Sequence, residues 1–342
     1  MAKQRGCINR ILFWGNVLTA LLLLVSFVLP YLPPRRFPNV ALLSLGVSPL
    51  LLVNALFLLY WLVQLSRRAL LSVVVLLFAY FHFNPFFEIS TNGNTEDYKN
   101  TLSVVSYNVR LFNAYEKGPD REVTEVISQL LDIQQPDVLC IQEFYKGNKL
   151  DFSSYPHKYV HYKGARNNLG HAIFSKYPLV KTGTFDFRNS YNNALYADVV
   201  KNGDTVRVYN IHLQSLGIKP NVDYLQQGDK DKLRRRMARA FLKQQQQMEE
   251  IVAHKNRASV PVILAGDFNN TAFSYVYRKL QQDMKDAFVE GGSGLGTTFL
   301  FEHYPMRIDY ILVSEELDVV RFETGDSSFS DHFPINAVVG WQ

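Results

Sequence analysis

The first 90 residues contain long stretches of apolar side chains with almost no charge. Segments 11–32 and 40–65 each reach the roughly 20 residues that a helix needs to cross the hydrocarbon core of a bilayer. Segment 69–87 is a third candidate, although its uninterrupted apolar run is shorter. A cleaved signal peptide is the alternative for the first segment, because basic residues precede it, but no small-residue cleavage site follows. The pattern predicts a membrane region at 1–90 with about three transmembrane helices.

The basic residues that flank these segments predict an orientation, because short cytoplasmic flanks are enriched in Lys and Arg. With three spans and a cytoplasmic N-terminus, five of the seven basic residues lie in the cytoplasm and the rest of the chain lies outside. With two spans, the rest of the chain returns to the cytoplasm. We therefore expect a multi-pass protein of the cell membrane whose C-terminal domain is extracytoplasmic (periplasmic).

Beyond a polar linker at 91–100, short apolar strings predict a domain of mixed strands and helices at 101–342. Buried strands are expected at 102–107 and 137–142, with a helix at 121–134 between them, which implies a parallel pair joined by a right-handed crossover. Further strands are expected at 157–162, 171–175, 179–187, 194–200, 205–213, 260–265, 307–313, 317–322 and 335–339, with a hairpin turn at Asn202-Gly203 and a long helix at 230–254. This order predicts an α/β fold of two packed sheets covered by helices.

The net charge of +5 changes meaning once it is located along the chain. Residues 1–90 carry seven Lys or Arg and one Glu (+6), whereas residues 91–342 carry 29 Lys or Arg and 30 Asp or Glu (−1). The basic excess therefore belongs to the membrane flanks and does not indicate a binding surface for a polyanion such as nucleic acid. One local cluster of basic residues on the long helix has the pattern of a solvated surface, with a phosphate-rich substrate or anionic headgroups as alternative partners.

Glu143 and Asn108 each follow a predicted buried strand. A buried carboxylate is costly unless it is paired or bound to a metal, and Mg²⁺ prefers oxygen ligands, so Glu143 is a candidate metal ligand. A strand-end Glu can also simply bond a loop. Asn108 can orient a ligand or contact phosphate, and a turn-forming role is its alternative.

The string Gly266-Asp267-Phe268-Asn269 is the strongest single signal. The glycine lets the backbone turn, while Asp267 and Asn269, two residues apart, can point to the same side of an extended chain. In the hydrolysis of a phosphate ester, a carboxylate there can hold the attacking water, and an amide can hydrogen-bond to the negative charge that develops on the phosphoryl oxygens. Capping of a following helix is the alternative, which Asn270 and Thr271 can provide instead.

Asp309 and His332 are a candidate pair, because a carboxylate bonded to one ring nitrogen fixes the tautomer and raises the basicity of the other. Asp331 then remains for a metal. His212 ends a strand and is suited to protonating a leaving oxygen or contacting phosphate, although a lone histidine on an apolar strand is commonly structural.

Taken in order, these strings resemble the signature motifs of the endonuclease/exonuclease/phosphatase superfamily, with a deoxyribonuclease I-like catalytic domain over about 101–342. The resemblance implies a four-layered α/β/β/α sandwich and hydrolysis of phosphate esters that depends on Mg²⁺, with Mn²⁺ as a second possibility. It implies Glu143 as the principal metal ligand with Asn108 and Asp331 contributing. In the same pattern Asp267 positions the nucleophilic water, Asn269 stabilises the transition state, and the Asp309–His332 pair assists.

His212 is similar to the histidine of the deoxyribonuclease I, sphingomyelinase and inositol-phosphatase branches, whereas abasic-site endonucleases have tyrosine chemistry there. The chain departs from the pattern at Asn270, where an Asp is common, and in its membrane region, which resembles membrane-anchored bacterial members.

The resulting hypothesis is a membrane-anchored, metal-dependent phosphodiesterase. Its expected partners are the lipid bilayer and a phosphoester substrate, either nucleic acid or a phosphorylated lipid headgroup, and no protein partner is indicated. The alternative is a non-catalytic, membrane-tethered binding module that keeps the fold, against which the complete set of polar residues argues.

Overall fold

A computed structural model describes residues 2–83, 86–91, 93–115, 120–164, 168–218, 226, 228–326 and 328–342. The N-terminal region forms helices α1 (Ala2–Ser26), α2 (Pro38–Ala41), α3 (Val47–Val63) and α4 (Ala69–His82). Within the described residues, two helical segments, Cys7–Tyr31 and Pro38–Val63, are long and apolar enough to cross a membrane. The described part of the third predicted segment is helical over the 14 residues of α4, which rise about 21 Å against a hydrocarbon core of about 30 Å, and residues 84–85 of that segment lie outside the described residues.

Polar contacts inside the apolar bundle fix how α1, α3 and α4 pack. The buried amide of Asn16 donates to the Ser72 hydroxyl (2.9 Å) and accepts from the Trp61 indole (3.0 Å). Near the start of α4 Arg68 bonds to the start of α1, whereas His82 at its end lies 2.8 Å from the Phe27 carbonyl beyond the end of α1. Helix α4 therefore runs parallel to α1 and antiparallel to α3.

The remainder of the chain folds into a sandwich whose central strands are almost wholly buried and whose edge strands are partly exposed. Its described strands are β1 (Glu88–Ile89), β2 (Asn100–Asn108), β3 (Val138–Tyr145), β4 (His157–Tyr162), β5 (Leu169–Ser175), β6 (Leu179–Phe185), β7 (Ala194–Lys201), β8 (Asp204–His212), β9 (Val262–Asp267), β10 (Met284–Asp286), β11 (Ser293–Gly294), β12 (Phe299–Phe301), β13 (Tyr304–Met306), β14 (Asp309–Ser314), β15 (Asp318–Thr324) and β16 (Ile335–Trp341). They include two six-stranded sheets, ordered β15-β16-β2-β3-β5-β4 and β10-β14-β9-β8-β7-β6.

Helices cover both outer faces of the two sheets. Helix α5 (Asp120–Ser128) and the π-helical turn after it (Gln129–Gln134) pack on the first sheet, and α6 (Lys230–Lys255) and α7 (Tyr275–Gln281) pack on the second. A short helix, α8 (Ala287–Gly291), lies at the sandwich edge and contacts β15. A separate apolar core fills the space between the sheets. The predicted four-layered α/β/β/α sandwich is confirmed.

Each sheet has one parallel pair at its centre, β2 with β3 and β8 with β9. The first pair is joined through α5, as the strand–helix–strand pattern predicts. The Asn202-Gly203 turn between β7 and β8 has positive φ at both residues (53° and 92°), the conformation of a type I′ hairpin. Since the carboxyl ends of parallel strands lie at one edge, residues that end β2, β3, β8 and β9 are brought together.

The predicted linker at 91–100 lies against the sandwich over its described residues. Strand β1, just before it, pairs with β11, and the Gly93 amide donates to the Val320 carbonyl (2.8 Å). A short 3₁₀ turn at Thr95–Asp97 then leads directly into β2. The connection is therefore held by backbone hydrogen bonds.

The helical region and the sandwich are in direct contact. Arg35, between α1 and α2, forms an ion pair with Glu249 (2.8 Å) and donates its amide to Gln245 (2.8 Å), both on α6. Ser48 at the start of α3 is hydrogen-bonded to Tyr304 (2.8 Å). These contacts lie at the end of the bundle where α1 finishes and α3 begins, so the sandwich sits at that end.

Candidate active site

The ends of four central strands bring most of the predicted site residues to one edge of the sandwich. Asn108 ends β2, His212 ends β8 and Asp267 ends β9. Asp309 begins β14 directly opposite Asp267 in the antiparallel register. His332 lies just before β16, which pairs with β2. The predicted set therefore converges on one place from both sheets.

The Asp267 carboxylate is the hub of the site and is fully buried. Its Oδ2 accepts from the side-chain amides of Asn108 and Asn269, both at 3.0 Å, and its Oδ1 accepts from the Asn269 backbone amide (2.7 Å). Burial, together with the Asp309 charge, raises the pKa of Asp267 to about 7, although His332 and these hydrogen bonds oppose the rise. A carboxylate with a pKa near neutral is suited to accepting a proton.

A single glycine permits the strand spacing beneath this hub. Gly266 has φ +149°, and a Cβ at this position would lie 1.9 Å from the Ile211 carbonyl oxygen on β8. The sequence predicts a glycine that lets the chain turn, but Gly266 lies inside β9, and its role is the close approach of two strands.

Asp309 and His332 form the predicted pair. His332 Nδ1 lies 2.9 and 3.1 Å from the two carboxylate oxygens of Asp309, and its Nε2 lies 3.6 Å from Asp267 Oδ2. Burial alone would lower the pKa of His332, but Asp309 and Asp267 outweigh it and raise the pKa to about 10. His332 is therefore an imidazolium that donates from Nδ1 to Asp309 and presents Nε2–H to the site.

Glu143 sits at a bulge in β3, where the register with β5 shifts between Ile141 and Phe144. Its φ of +55° is a strained conformation for a non-glycine residue, of a kind found at functional sites. Burial raises the pKa of the Glu143 carboxyl, and Asp331 adds to the rise while His332 opposes it. His212 Nε2 lies 3.9 Å from this carboxylate, and the Asn108 side chain hydrogen-bonds to it. The backbone thus turns a buried carboxylate into the site.

These surroundings fit a divalent cation at Glu143. Its carboxylate is an oxygen donor of the kind that Mg²⁺ prefers, and a cation would offset a charge that burial disfavours. Asn108 Oδ1 accepts the Arg110 amide (3.1 Å) and keeps a second lone pair. Asp331 is half-buried at the rim, where Ser330 bonds its carboxylate at 3.3 Å. Glu143, Asn108 and Asp331 would therefore hold such an ion, and this assignment stays a prediction.

A second group of candidate metal ligands lies closer together than the first, but it includes a protonated histidine. One ligand atom from each of Asp267, Asp309 and His332 lies within 4.8 Å of the others, the arrangement that the described residues offer as a metal cluster. An imidazolium has no lone pair for a metal, however, and its Nδ1 proton is already donated to Asp309. These three residues form a hydrogen-bonded acid–base array beside the oxygen donors of Glu143.

Comparison with known proteins agrees with this geometry. Residues 105–332, about two thirds of the chain, match the model of the Endonuclease/Exonuclease/phosphatase family. The chain belongs to the endonuclease/exonuclease/phosphatase family. Members of this family are hydrolases that act on phosphoester bonds and typically use divalent metals. Residues 9–86 match a domain of unknown function, DUF8431. No curated protein sequence matches the chain.

Solved structures of endonuclease/exonuclease/phosphatase proteins share the sandwich. A protein from Beutenbergia cavernae is 17% identical, with 71% of this chain and 72% of that chain covered and a TM-score of 0.53. A Bacteroides vulgatus protein and D. rerio TDP2, complexed with a single-strand DNA product, are each 17% identical, cover 71% of this chain and 100% of their own, and have TM-scores of 0.53. At this identity the likeness shows the fold alone.

His171 is a residue of this endonuclease/exonuclease/phosphatase site that the sequence analysis does not single out. Its Nε2 lies 3.2 Å from His212 Nδ1, and both rings are buried. Burial lowers the pKa of His171 to about 3 and that of His212 well below its ordinary value. Because Asp267 and Glu143 lie beside His212 Nε2, the proton belongs on Nε2, and Nδ1 accepts from His171. His171 therefore sets the tautomer of His212.

The glutamines of α6 are a second feature that the sequence motifs miss. Gln244 donates to the Asn269 carbonyl (3.1 Å) and the Gln214 carbonyl (2.7 Å) and accepts from the Asn270 amide (2.8 Å). The interpretation of Asn270 as a helix cap is wrong, because Ser274 caps α7. Asn270 instead ties the catalytic loop to α6. A run of glutamines in a charged helix is the sequence signal for this brace.

Arg307, in the string that contains Asp309, supports the wall of the site. Its guanidinium pairs with the buried carboxylate of Asp286 (2.6 Å) and lies over the rings of Phe288 and Tyr310. It is therefore held away from the Asp267 hub by a buried ion pair.

Proposed function

We propose that the protein is a membrane-anchored, divalent-metal-dependent phosphodiesterase, in which water attacks the phosphorus of a phosphate diester and an alcohol leaves. The observation that carries this proposal is the Asp267 hub, where a proton-accepting carboxylate lies between a charged and a neutral histidine. The reaction consumes one water and yields a phosphomonoester and an alcohol, so it needs a proton acceptor for the water and a proton donor for the leaving oxygen.

The residues divide these roles by protonation state. Asp267 orients the water and takes its proton, because its pKa lies near neutral. His332, charged and fixed by Asp309, stabilises the negative charge that grows on the phosphoryl oxygens. His212 is neutral with its proton on Nε2, so it donates a hydrogen bond to the leaving oxygen, and the proton that Asp267 takes from the water returns through solvent to that oxygen. Asn269 positions Asp267 and offers an amide to the developing charge.

Glu143, Asn108 and Asp331 would hold a divalent ion, Mg²⁺ or Mn²⁺. When bound, it would supply positive charge that polarises the phosphate ester. The protein contributes a buried oxygen donor and a backbone bulge that keeps it aimed inward.

We also propose that α1, α3 and α4 cross the membrane and place the sandwich outside the cytoplasm. Helix α4 supports this, because it runs antiparallel to α3 and returns the chain to the end of the bundle that carries the sandwich. The basic residues at the opposite end, which include Arg10, Arg67 and Arg68, then face the cytoplasm. Turns at both ends of α4 and local thinning of the bilayer accommodate its short length.

The enzymatic proposal predicts metal-dependent turnover of an artificial diester. The purified full-length protein in detergent should hydrolyse bis(p-nitrophenyl) phosphate with Mg²⁺ or Mn²⁺, and excess chelator should reduce the rate to background. Release of p-nitrophenolate measures the rate. An absence of hydrolysis with either metal, together with unimpaired binding of phosphodiesters, would instead support the non-catalytic binding module.

The orientation proposal predicts the behaviour of reporters fused after Gln342. A periplasm-active reporter such as alkaline phosphatase should be active, and a reporter that is fluorescent only in the cytosol should be dark. A fusion that inserts one additional transmembrane helix before the reporter is the matched control and should reverse both signals. Reversed signals in the unmodified fusion would mean that α4 does not cross.

A further inference from the structure

An apolar cavity of about 430 Å³ separates α3 from the catalytic sandwich. One wall consists of Leu51, Leu52 and Ala55 in the first three turns of α3. The opposite wall includes Phe273, Leu295 and Met306 from the sandwich. The volume falls in the range of small-molecule sites, which is roughly 300–1,000 Å³. The cavity therefore has room for a ligand, and its lining favours a hydrocarbon.

The polar groups that line this cavity do not change its apolar character. His303, in the turn between β12 and β13, is exposed to solvent. Arg307 reaches the wall but is paired with buried Asp286, so its charge is already compensated. The hydroxyls of Ser48 and Tyr304 bond to each other, and Thr271 donates to the Ser44 carbonyl (3.3 Å). An anionic or strongly polar ligand would find few unused partners among these groups.

Three separate chain segments place the cavity beside the catalytic residues. Thr271 lines the cavity two residues after Asn269, and Arg307 lines it two residues before Asp309. Two residues span at most about 7 Å of extended chain. The third segment leads from Thr297 in the cavity wall to Phe299, whose ring centroid is 4.9 Å from that of His332. The cavity wall thus continues through at most about 7 Å of chain into residues of the candidate site.

The side of the cavity away from the catalytic residues adjoins surface that favours lipid. Leu52 and Leu56 of α3 are half exposed, and α3 belongs to one of the two segments long enough to cross a membrane. On the sandwich, Phe87, Ile89 and Leu295 are exposed apolar side chains at and around the β1–β11 pair. A group of exposed apolar side chains beside an apolar helix of this length is suited to contact the interfacial layer of a bilayer.

From these contacts we propose that the substrate is a lipid phosphodiester whose hydrocarbon chain occupies the cavity between α3 and the sandwich while its phosphate lies at Asp267 and His332. This inference rests on the proposed phosphodiesterase activity and adds the substrate class. The apolar chain is contacted by a membrane helix on one side and by the catalytic sandwich on the other. A soluble nucleic acid has no hydrocarbon to fill this space.

The test uses two diesters with the same leaving group, p-nitrophenyl methyl phosphate and p-nitrophenyl octyl phosphate. Hydrolysis of each yields the alkyl phosphate and p-nitrophenol, so the chemistry is matched and only the chain differs. With the full-length protein in nanodiscs, kcat/KM for the octyl ester should exceed that for the methyl ester by about tenfold or more, the gain expected from burying as few as two methylenes. Ala55→Phe, which fills the cavity, should remove this preference and leave the methyl ester rate unchanged.

Leu59→Phe is the matched control, because Leu59 lies one turn further along α3 and is exposed away from the cavity. It should keep the octyl preference. Equal rates for the two esters in the wild type, or equal loss of preference in both variants, would overturn the lipid inference while the phosphodiesterase proposal stands. No hydrolysis of either ester would overturn both. If Ala55→Phe kept the preference but converted a dimer into monomers, the cavity would be an interface between copies and the lipid inference would be wrong.

Discussion

Replacing Asp267 with asparagine should reduce kcat for bis(p-nitrophenyl) phosphate by roughly 10³-fold, within the range of about 10²–10⁴ for loss of a general base. The substitution removes the proton acceptor while keeping the shape of the side chain. It also forces a conflict, because the side-chain amides of Asn108 and Asn269 donate to Oδ2 and the Asn269 backbone amide donates to Oδ1. In either orientation the new amide places a donor against a donor, which should cost about 1–3 kcal/mol of unfolding free energy.

Two measurements separate these effects. Thermal unfolding reports the lost stability, and the rate at a temperature where both proteins are fully folded reports catalysis. Asp318→Asn is the matched control, since Asp318 is exposed on β15, where it forms an ion pair with Lys285. It should leave both quantities near wild type. A rate for Asp267→Asn within a factor of about three of wild type would refute the role of Asp267 as the base.

Replacing Glu143 with glutamine should abolish the response of the protein to Mg²⁺ as well as its activity. A ligand that binds only the folded state stabilises it, by about 2.7 kcal/mol at 100 times Kd. The wild type should therefore melt at a higher temperature with saturating Mg²⁺, and Glu143→Gln should not. Without metal, the variant should be at least as stable as the wild type, because a largely buried carboxylate with 27% side-chain exposure is replaced by a neutral amide.

The direction of these two shifts distinguishes a metal ligand from a structural residue. Loss of a structural hydrogen bond would lower the melting temperature in the absence of metal, whereas loss of a ligand removes only the increase that the metal gives. Glu316→Gln, in the exposed turn between β14 and β15, is the control and should retain the full Mg²⁺ effect. An undiminished Mg²⁺ shift in Glu143→Gln would exclude Glu143 as the principal ligand.

Much of the sandwich is predictable because its signals are local. Apolar strings, the Asn202-Gly203 turn and the strand–helix–strand order place the central strands, and strand ends place Asn108, Asp267 and Asp309. Boundaries differ by a few residues, as at β9, predicted from 260 and observed from Val262. Such differences arise because backbone pairing with neighbouring strands determines where a strand begins.

The rest depends on contacts between residues far apart in sequence. The bulge that aims Glu143 arises from a register shift between β3 and β5, which no local pattern encodes. His171 and His212 are 41 residues apart and become neighbours only when both sheets form. The same holds for Gln244, whose partners on two loops are set by where α6 packs. The sequence therefore predicts which residues end a strand, but it does not predict the distant residues that hold their side chains in place.

The packing of the connecting segment against the sandwich has a consequence for which molecules the enzyme can reach. A flexible tether would let the catalytic domain sweep a hemisphere above the bilayer and collide with substrates at any height. Here the β1–β11 pair, the Gly93 hydrogen bond and the Arg35 ion pair to α6 hold the domain against its helices. In the proposed membrane-anchored enzyme, the catalytic edge would address one depth of the membrane surface, and substrates would reach it by lateral diffusion in that plane.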